Sequence, residues 1–251
     1  MSSKKVQRQS ELYKLLLNQG KSKVTDLANQ LHVTPETIRT DLSEMVKQNR
    51  IIREHGFARP ISSVSEVPFQ MREFENMQEK RKVAFRALQE VQANQTIFLD
   101  AGSTIVLGLP ALPKNQNITI VTNGIPMAYE AGLLGFHVIV CSGELSNVGI
   151  RTYGAISSEI LENLELDLCI LTCDGIGKGL SFVTKDFHDV GIKRVVLSRS
   201  KRKIIAMDQS KFKEDGSYNF GAIKEFDCLV TNPLNEKQKK LFKDLKEIIE
   251  V

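Results

Sequence analysis

The stretch GKSKVTDLANQLHVTPETIRTDL, residues 20 to 42, constrains the fold of this chain more than any other segment. Two short apolar-periodic runs flank a turn, and the second run opens on Thr34-Pro35. A threonine there caps the free amides of a helix, and a proline at the first helical position forfeits no hydrogen bond. Ile38, Leu42, Met45 and Val46 follow at i, i+4, i+7 and i+8, which predicts one buried stripe. Thr34, Pro35, Glu36, Thr37, Arg39 and Thr40 are left on the open side, near the amino end. Two helices arranged this way make a helix-turn-helix, whose second helix presents its first residues to the DNA major groove.

Charge supports a nucleic-acid partner. Residues 1 to 59 hold eleven Lys and Arg against six Asp and Glu, a net +5, whereas the whole chain carries +4. The basic excess therefore sits on the segment with the DNA-reading pattern. A helix near Lys5–Asn18, with Leu12, Leu15 and Leu16 on one face and Gly20 at its end, precedes the motif. After it, Arg50-Ile-Ile-Arg-Glu-His-Gly-Phe-Ala-Arg59 alternates and turns at Gly56, which predicts a small β-wing. Lys47, Arg50, Arg53 and His55 are the candidate phosphate contacts, with Arg59 beside them. Arg39, Thr37 and Thr40 are the candidates for the groove.

Composition excludes several classes. With 41% hydrophobic and 25% charged residues, the chain has ample material for a core. No apolar run is long enough to span a bilayer, and MSSKKVQRQS lacks the apolar stretch of a secretory signal. No membrane partner is expected, and a cytoplasmic location is. Cys141, Cys169, Cys173 and Cys228 all lie in strand-like apolar runs, which predicts buried thiols. The histidines are scattered without ligand spacing, so neither a metal site nor a cofactor is expected.

Domain boundaries follow from a change in texture. A winged helix-turn-helix over 1–58 is expected to lead into a Pro- and Ser-rich linker over 59–74, then an α/β domain over 75–251. A charged helical stretch from Phe69 to Gln92 offers Phe69, Phe74 and Met77 for packing on that second domain. Beyond residue 95, apolar runs at Ile97–Asp100, Ile118–Thr122, His137–Cys141, Leu166–Cys173, Lys203–Asp208 and Asp227–Thr231 alternate with helical segments. The expected helices lie near Thr104–Leu109, Ile125–Leu134, Ser157–Leu164, Gly191–Ser200 and Glu236–Ile249. Such alternation predicts a mostly parallel sheet covered on both faces.

In open α/β sheets, ligands sit beyond the carboxyl ends of the strands. The residues there are polar: Asp100-Ala-Gly-Ser-Thr104, Thr122-Asn-Gly124, Ser142-Gly-Glu144, Asp174-Gly175, Asp208-Gln-Ser-Lys211 and Thr231-Asn232. In the first, Gly102 allows close backbone approach, Ser103 and Thr104 add hydroxyls, and a helix begins, a setting that favours an anion. Lys211 is a candidate to neutralise it. Gly175-Ile-Gly-Lys-Gly179 fails as a dinucleotide fingerprint because no helix follows, and a flexible loop at the pocket mouth is expected instead.

Taken together, VTDLANQLHVTPETIRTDL, the Arg53–Ala58 wing, IFLDAGST, TIVTNGIPMA, CSGEL, CDGIG and MDQSKF resemble, in that order, the DeoR family of bacterial transcriptional regulators. The resemblance implies an N-terminal winged helix and a C-terminal α/β sensor domain that binds a phosphorylated sugar or related metabolite and is similar to ribose phosphate isomerases. It carries sensor roles onto Asp100, Gly102, Ser103 and Thr104, and onto Asn123, Gly143, Glu144, Asp174 and Lys211. Departures are Arg39-Thr40 in place of two arginines, Phe57 in place of a wing glycine, and Thr172 or Cys173 where a glycine is usual. The reading is a DNA-binding regulator, a repressor of a sugar uptake or catabolism operon, acting as a dimer or tetramer on double-stranded operator DNA. The alternative is an isomerase-like enzyme fused to a DNA-binding head. Against it, no second carboxylate follows Asp174 until Asp186.

Overall fold

Leu12 and Leu16, one helical turn apart, are fully buried and fix the first helix against the helix-turn-helix. A computed structural model describes residues 3–47, 50–54, 56–60, 69–114, 116–146, 148–212 and 216–251. The chain forms two compact units, Met1–Glu75 and Asn76–Val251.

The first unit comprises α1 (Ser3–Gln19), β1 (Ser22–Lys23), α2 (Val24–Gln30), α3 (Pro35–Lys47), β2 (Ile51–Glu54), β3 (Phe57–Pro60) and α4 (Phe69–Arg72). Helix α1 stops at Gly20, which takes φ +69° and donates its N–H to Leu16 O at 2.8 Å, a left-handed termination that glycine allows without strain. The wing strands β2 and β3 pair antiparallel, and β1 adds a short third strand that the sequence pattern does not announce. Ile38, Leu42 and Met45 are buried as expected, but Val46 is exposed. The remaining place on the stripe belongs to Asp41, which is buried and held by Arg8. The Phe69–Gln92 stretch breaks in two. Helix α4 lies against α1 within the first unit, with Phe69 and Met71 buried, whereas Phe74 and Met77 are exposed.

The second unit starts with α5 (Met77–Leu88), preceded by Asn76 at φ +50°. There follow β4 (Thr96–Leu99), α6 (Ser103–Val106), β5 (Thr119–Thr122), α7 (Ile125–Leu133), β6 (His137–Val140), β7 (Glu144–Ser146), β8 (Arg151–Tyr153), α8 (Ala155–Glu162) and β9 (Leu166–Leu171). The chain continues through β10 (Gly175–Gly177), β11 (Ser181–Thr184), α9 (Phe187–Arg199), β12 (Ser200–Met207), β13 (Tyr218–Ala222), β14 (Cys228–Thr231), α10 (Glu236–Lys239) and β15 (Glu247–Glu250). The main sheet is seven-stranded, in the order β15-β14-β12-β9-β4-β5-β6. Every neighbouring pair runs parallel. All strand ends that the sequence marks as polar therefore lie along one edge.

Apolar residues cover both faces of the sheet. Phe98, Cys169, Leu171, Ile205 and Leu229 face a cluster with Ile192, Val196 and Leu197 of α9. Ile97, Leu99, Ile120, Ile170 and Val230 face another with Val83 and Ala87 of α5 and Met127 and Ala131 of α7. The four cysteines are free and buried, and burial pushes the Cys173 thiol up to about 12.

Two further expectations fail. The helix expected over Glu236–Ile249 is α10, a short helical turn and then β15, parallel to β14. Ile248 packs into one face cluster and Ile249 into the other, so the pair follows strand alternation rather than a helical stripe. The segment after Asp174 is not a loose loop but the hairpin β10–β11, which turns through Gly179 at φ +83° and Leu180 at φ +56°.

Candidate nucleic-acid interface and candidate ligand site

Thr34 begins the reading helix as its composition requires: its Oγ1 accepts from Thr37 N at 3.2 Å. Before it, His32 takes φ +52° and Val33 N bonds back to Ala28 O at 3.0 Å, which closes the turn between α2 and α3. Thr34, Pro35, Glu36, Arg39, Thr40 and Lys47 are exposed and Thr37 is half-buried. Arg39 Nη1 lies 2.5 Å from Glu36 Oε2, so an acid on its own helix holds the arginine expected to read the groove. Thr40 Oγ1 donates to Glu36 O at 3.0 Å. Arg53 reaches from β2 to the same helix, with Nη1 3.1 Å from Ser43 Oγ.

Arg50 differs from the expected phosphate contact. It is half-buried near the Tyr13 phenol, and loss of solvent lowers its pKa while Tyr13 opposes that shift. The role expected of His55 lies outside the described residues. The wing adds a feature that its motif does not announce: the ammonium groups of Lys21 and Lys23 lie 5.2 and 5.8 Å from the centre of the Phe57 ring. An aromatic face attracts cations at that range, so Phe57, in place of the usual glycine, gathers two lysines beside the wing.

In the second unit the strand tips converge on a buried charge network. Asp100, just past β4, accepts from Ala101 N at 3.0 Å with Oδ1. Its Oδ2 accepts from Thr172 N at 2.8 Å, Thr172 Oγ1 at 2.5 Å and Lys193 Nζ at 2.5 Å. Burial resists ionisation of Asp100, but Lys193 and Thr172 outweigh it and hold the carboxyl below its ordinary pKa. Lys193 also lies 3.4 Å from Asp189, which lies 3.5 Å from Arg151; Arg151 in turn lies 2.7 Å from Asp186. The protein itself occupies both carboxylate oxygens of Asp100, which makes this residue an organiser of the 101–104 turn.

Gly102 also acquires a different reason. A Cβ there would stand 2.3 Å from Thr172 Oγ1, so the glycine makes room for a neighbouring side chain rather than for a ligand. Ser103 and Thr104 are buried at the start of α6, and Lys80 of α5, itself buried, places Nζ 3.4 Å from Ser103 Oγ. Asn123 donates from Nδ2 to Thr152 O at 3.0 Å, while its buried Oδ1 has no hydrogen-bond partner among the described residues. Gly143, at φ +153°, packs on the Tyr153 carbonyl. Glu144 is exposed on β7 and accepts from Tyr153 Oη at 3.3 Å.

Asp174 Oδ2 accepts from Lys185 N at 2.9 Å and Thr184 Oγ1 at 3.4 Å. Burial is the main cause of the raised Cys173 thiol pKa, and the charges of Lys211, Asp174, Lys193 and Asp208 modulate it. Asp100–Thr104, Asn123, Asp174 and Lys211 follow the carboxyl ends of β4, β5, β9 and β12, whereas Glu144 is exposed on its hairpin. Lys80 and Lys193 escape a motif search. Each occupies a core position of its helix, Lys80 beside Val83, Ala84 and Ala87, and Lys193 beside Ile192 and Val196. A charge on an apolar stripe is the signal that reveals them. Among the described residues no group of acids, histidines and cysteines could hold a metal ion, and no helix is long and apolar enough to cross a membrane.

A winged helix-turn-helix with a basic reading face, joined to a parallel α/β body with polar strand tips, defines a DNA-binding regulator that carries a ligand-sensing domain. Comparison with known proteins places it more narrowly. Residues 8–64 match the DeoR-like helix-turn-helix domain and residues 75–233 the DeoR C-terminal sensor domain. The chain belongs to the DeoR family of sugar-operon regulators. It is 30% identical over 230 residues to the glycerol-3-phosphate regulon repressor of Escherichia coli K12, covering 91% of each chain. It is 31% identical over 235 residues to the L-fucose operon activator of the same organism, covering 91% of this chain and 95% of that one. Among solved structures, ribose 5-phosphate isomerase from Methanocaldococcus jannaschii aligns with a TM-score of 0.42 and 15% identity over 55% of each chain.

Proposed function

We propose that this protein is a cytoplasmic, homo-oligomeric repressor whose grip on operator DNA responds to a phosphorylated sugar or polyol at the carboxyl edge of its parallel sheet. The relative named a glycerol-3-phosphate regulon repressor supports repression of an operon for phosphorylated polyols, whereas the relative named an L-fucose operon activator supports the opposite direction of control. In the head, Thr37, Arg39 and Thr40 read the groove, Thr34, Pro35 and Glu36 shape the start of α3, and Lys47 and Arg53 hold phosphates. In the body, Ser103, Thr104, Lys80 and Lys211 take the phosphate, and Asn123 and Asp174 take the polyol hydroxyls. The observation that carries this reading is the buried ammonium of Lys80, 3.4 Å from Ser103 Oγ. A buried cation beside a serine hydroxyl matches a phosphate monoester in charge and in hydrogen bonding.

The body acts by binding rather than turnover. Asp174 is tied to Lys185 N, and the next carboxylate along the chain, Asp186, is paired with Arg151, so neither is placed as a mobile base. A hundredfold release of DNA needs about 3 kcal/mol of differential effector affinity between the two states. The test is calorimetry with glycerol 3-phosphate and a panel of aldose and ketose phosphates, alongside operator binding by fluorescence anisotropy. Lys80→Met and Ser103→Ala are expected to abolish effector binding and leave operator affinity intact. Wild-type effector affinity in both variants would refute the site, and isomerase turnover in a coupled assay would refute the non-catalytic reading.

A further inference from the structure

Two exposed lysines flank the wing turn, outside the residues assigned above to the groove or to phosphates. Lys21 and Lys23 stand on either side of Ser22, which is buried, so they share one strand face. In the antiparallel register of β1 on β3, Lys23 lies opposite Phe57, and the Phe57 ring shares that face. Val24 N donates to Gly56 O at 2.9 Å, which ties the lysine segment to the turn itself. Both ammonium groups gather on the ring, at 5.2 and 5.8 Å from its centre.

Two like charges held this close repel each other, and the face supplies little to offset them. Lys21 pairs with Glu54 at 2.9 Å, but Glu54 also takes Arg59 at 3.4 Å. The face thus holds three cations and one carboxylate. Lys23 has no hydrogen bond or ion pair among the described residues, only the Phe57 ring. A ring attracts an exposed cation weakly, so the face remains short of anions. Helix α2, which begins directly after Lys23, is the first helix of the helix-turn-helix, the one that crosses the DNA backbone. Arg53, on the opposite face of the same hairpin, reaches α3 at Ser43. The lysine face is therefore continuous with the DNA-reading surface, and phosphates line every duplex that such a surface meets.

We propose that Lys21 and Lys23, braced by Phe57, grip the DNA backbone beside the segment that α3 reads. The proposal rests on the DNA-binding reading of the head and extends its footprint past Lys47 and Arg53. A phosphate grip fixes orientation and adds affinity without reading a base. Phe57 is a positioning residue: its ring holds the two ammonium groups together and meets no base itself.

The test uses the full-length protein and a mixed-sequence duplex of roughly 40 base pairs, about four helical turns. A backbone grip needs no operator, so fluorescence anisotropy over a range of salt concentrations reads it directly. The slope of log affinity against log salt is expected to fall by about 1 for Lys21→Gln or Lys23→Gln and by about 2 for the pair. Lys237→Gln with Lys240→Gln removes the same charge from exposed positions of the second unit and is expected to leave the slope unchanged. Phe57→Leu is expected to weaken binding about threefold in the wild type and not at all in the double-lysine variant. The four lysines are exposed, and melting temperatures verify that every variant folds. An unchanged slope in the Lys21, Lys23 double variant, while Arg53→Gln lowers it, would overturn the grip and leave the DNA-binding reading intact. An equal fall in the Lys237, Lys240 variant would reduce the effect to net charge and overturn the grip as well. A Phe57→Leu loss that persists without the lysines would overturn the bracing role. A wild type that ignores the duplex at low salt would overturn the DNA-binding reading itself.

Discussion

Lys193 Nζ lies 2.5 Å from Asp100 Oδ2, and each side chain is only 3% exposed. The two residues come from α9 and the tip of β4, elements separated by 93 positions in sequence. Their contact fixes the turn that carries Ser103 and Thr104. Taking two charges out of water is expensive, and only a complete set of hydrogen bonds offsets it. Asp100 has that set from Ala101, Thr172 and Lys193, and Lys193 adds the Thr172 carbonyl at 2.9 Å.

Asp100→Asn leaves Lys193 buried without its main counter-charge. Removing one member of such a pair costs about 3–5 kcal/mol, so the melting temperature should fall by roughly 10 °C at neutral pH. The sign with pH follows from the lowered Asp100 pKa. Its stabilisation is complete above the unfolded carboxyl value of about 3.9 and disappears as pH falls through the folded value. Wild type should therefore lose stability more steeply than Asp100→Asn on the acid side, and calorimetry from neutral to acid pH checks the difference. Parallel acid limbs would mean that Asp100 is not the titrating group.

Glu36 restrains the arginine that should meet DNA. Exposed ion pairs of this kind are worth about 0–1 kcal/mol, yet Glu36 also brings a negative charge to a phosphate-lined groove. Glu36→Gln frees Arg39 and removes that repulsion, so operator affinity should rise several-fold, with a steeper loss on added salt. Arg39→Ala should weaken binding at least tenfold, an effect of about 1–3 kcal/mol. Fluorescence anisotropy at two ionic strengths measures both. A Glu36→Gln variant that binds more weakly would show that Glu36 itself contacts a base.

Much of this molecule was legible from local pattern. Thr34 and Pro35 announce α3 because capping and proline geometry are local, and six of the seven strands of the main sheet appear where continuous apolar stretches meet turn residues. Ile248-Ile249 misleads because a short charged segment carries both periods, and only pairing with Cys228–Thr231 decides between them. Asp100, Ser103 and Thr104 were visible as a polar strand tip. The partners that define their chemistry, Lys80, Thr172 and Lys193, come from distant elements and belong to no motif. Gly102 is the clearest case: its need for a missing side chain is visible, but the reason, Thr172, lies 70 residues away.

That reason gives the last prediction. An alanine Cβ at position 102 would meet Thr172 Oγ1 at 2.3 Å and Cγ2 at 3.0 Å. Thr172 is the weaker party to the clash, because its side chain rotates more readily than the 101–104 turn shifts. Rotation breaks the 2.5 Å bond from Thr172 Oγ1 to Asp100 and loosens the network around Lys193. Gly102→Ala should therefore cost about 1–3 kcal/mol, as overpacking does. Thr172→Ala removes both clashing atoms and the hydroxyl, so in that background the same glycine substitution should cost less than about 1 kcal/mol. Residues in contact couple in this non-additive way, and urea unfolding of the two single variants and the double variant measures it. Equal costs in both backgrounds would mean that the glycine is required for backbone conformation, or for a ligand, rather than for Thr172.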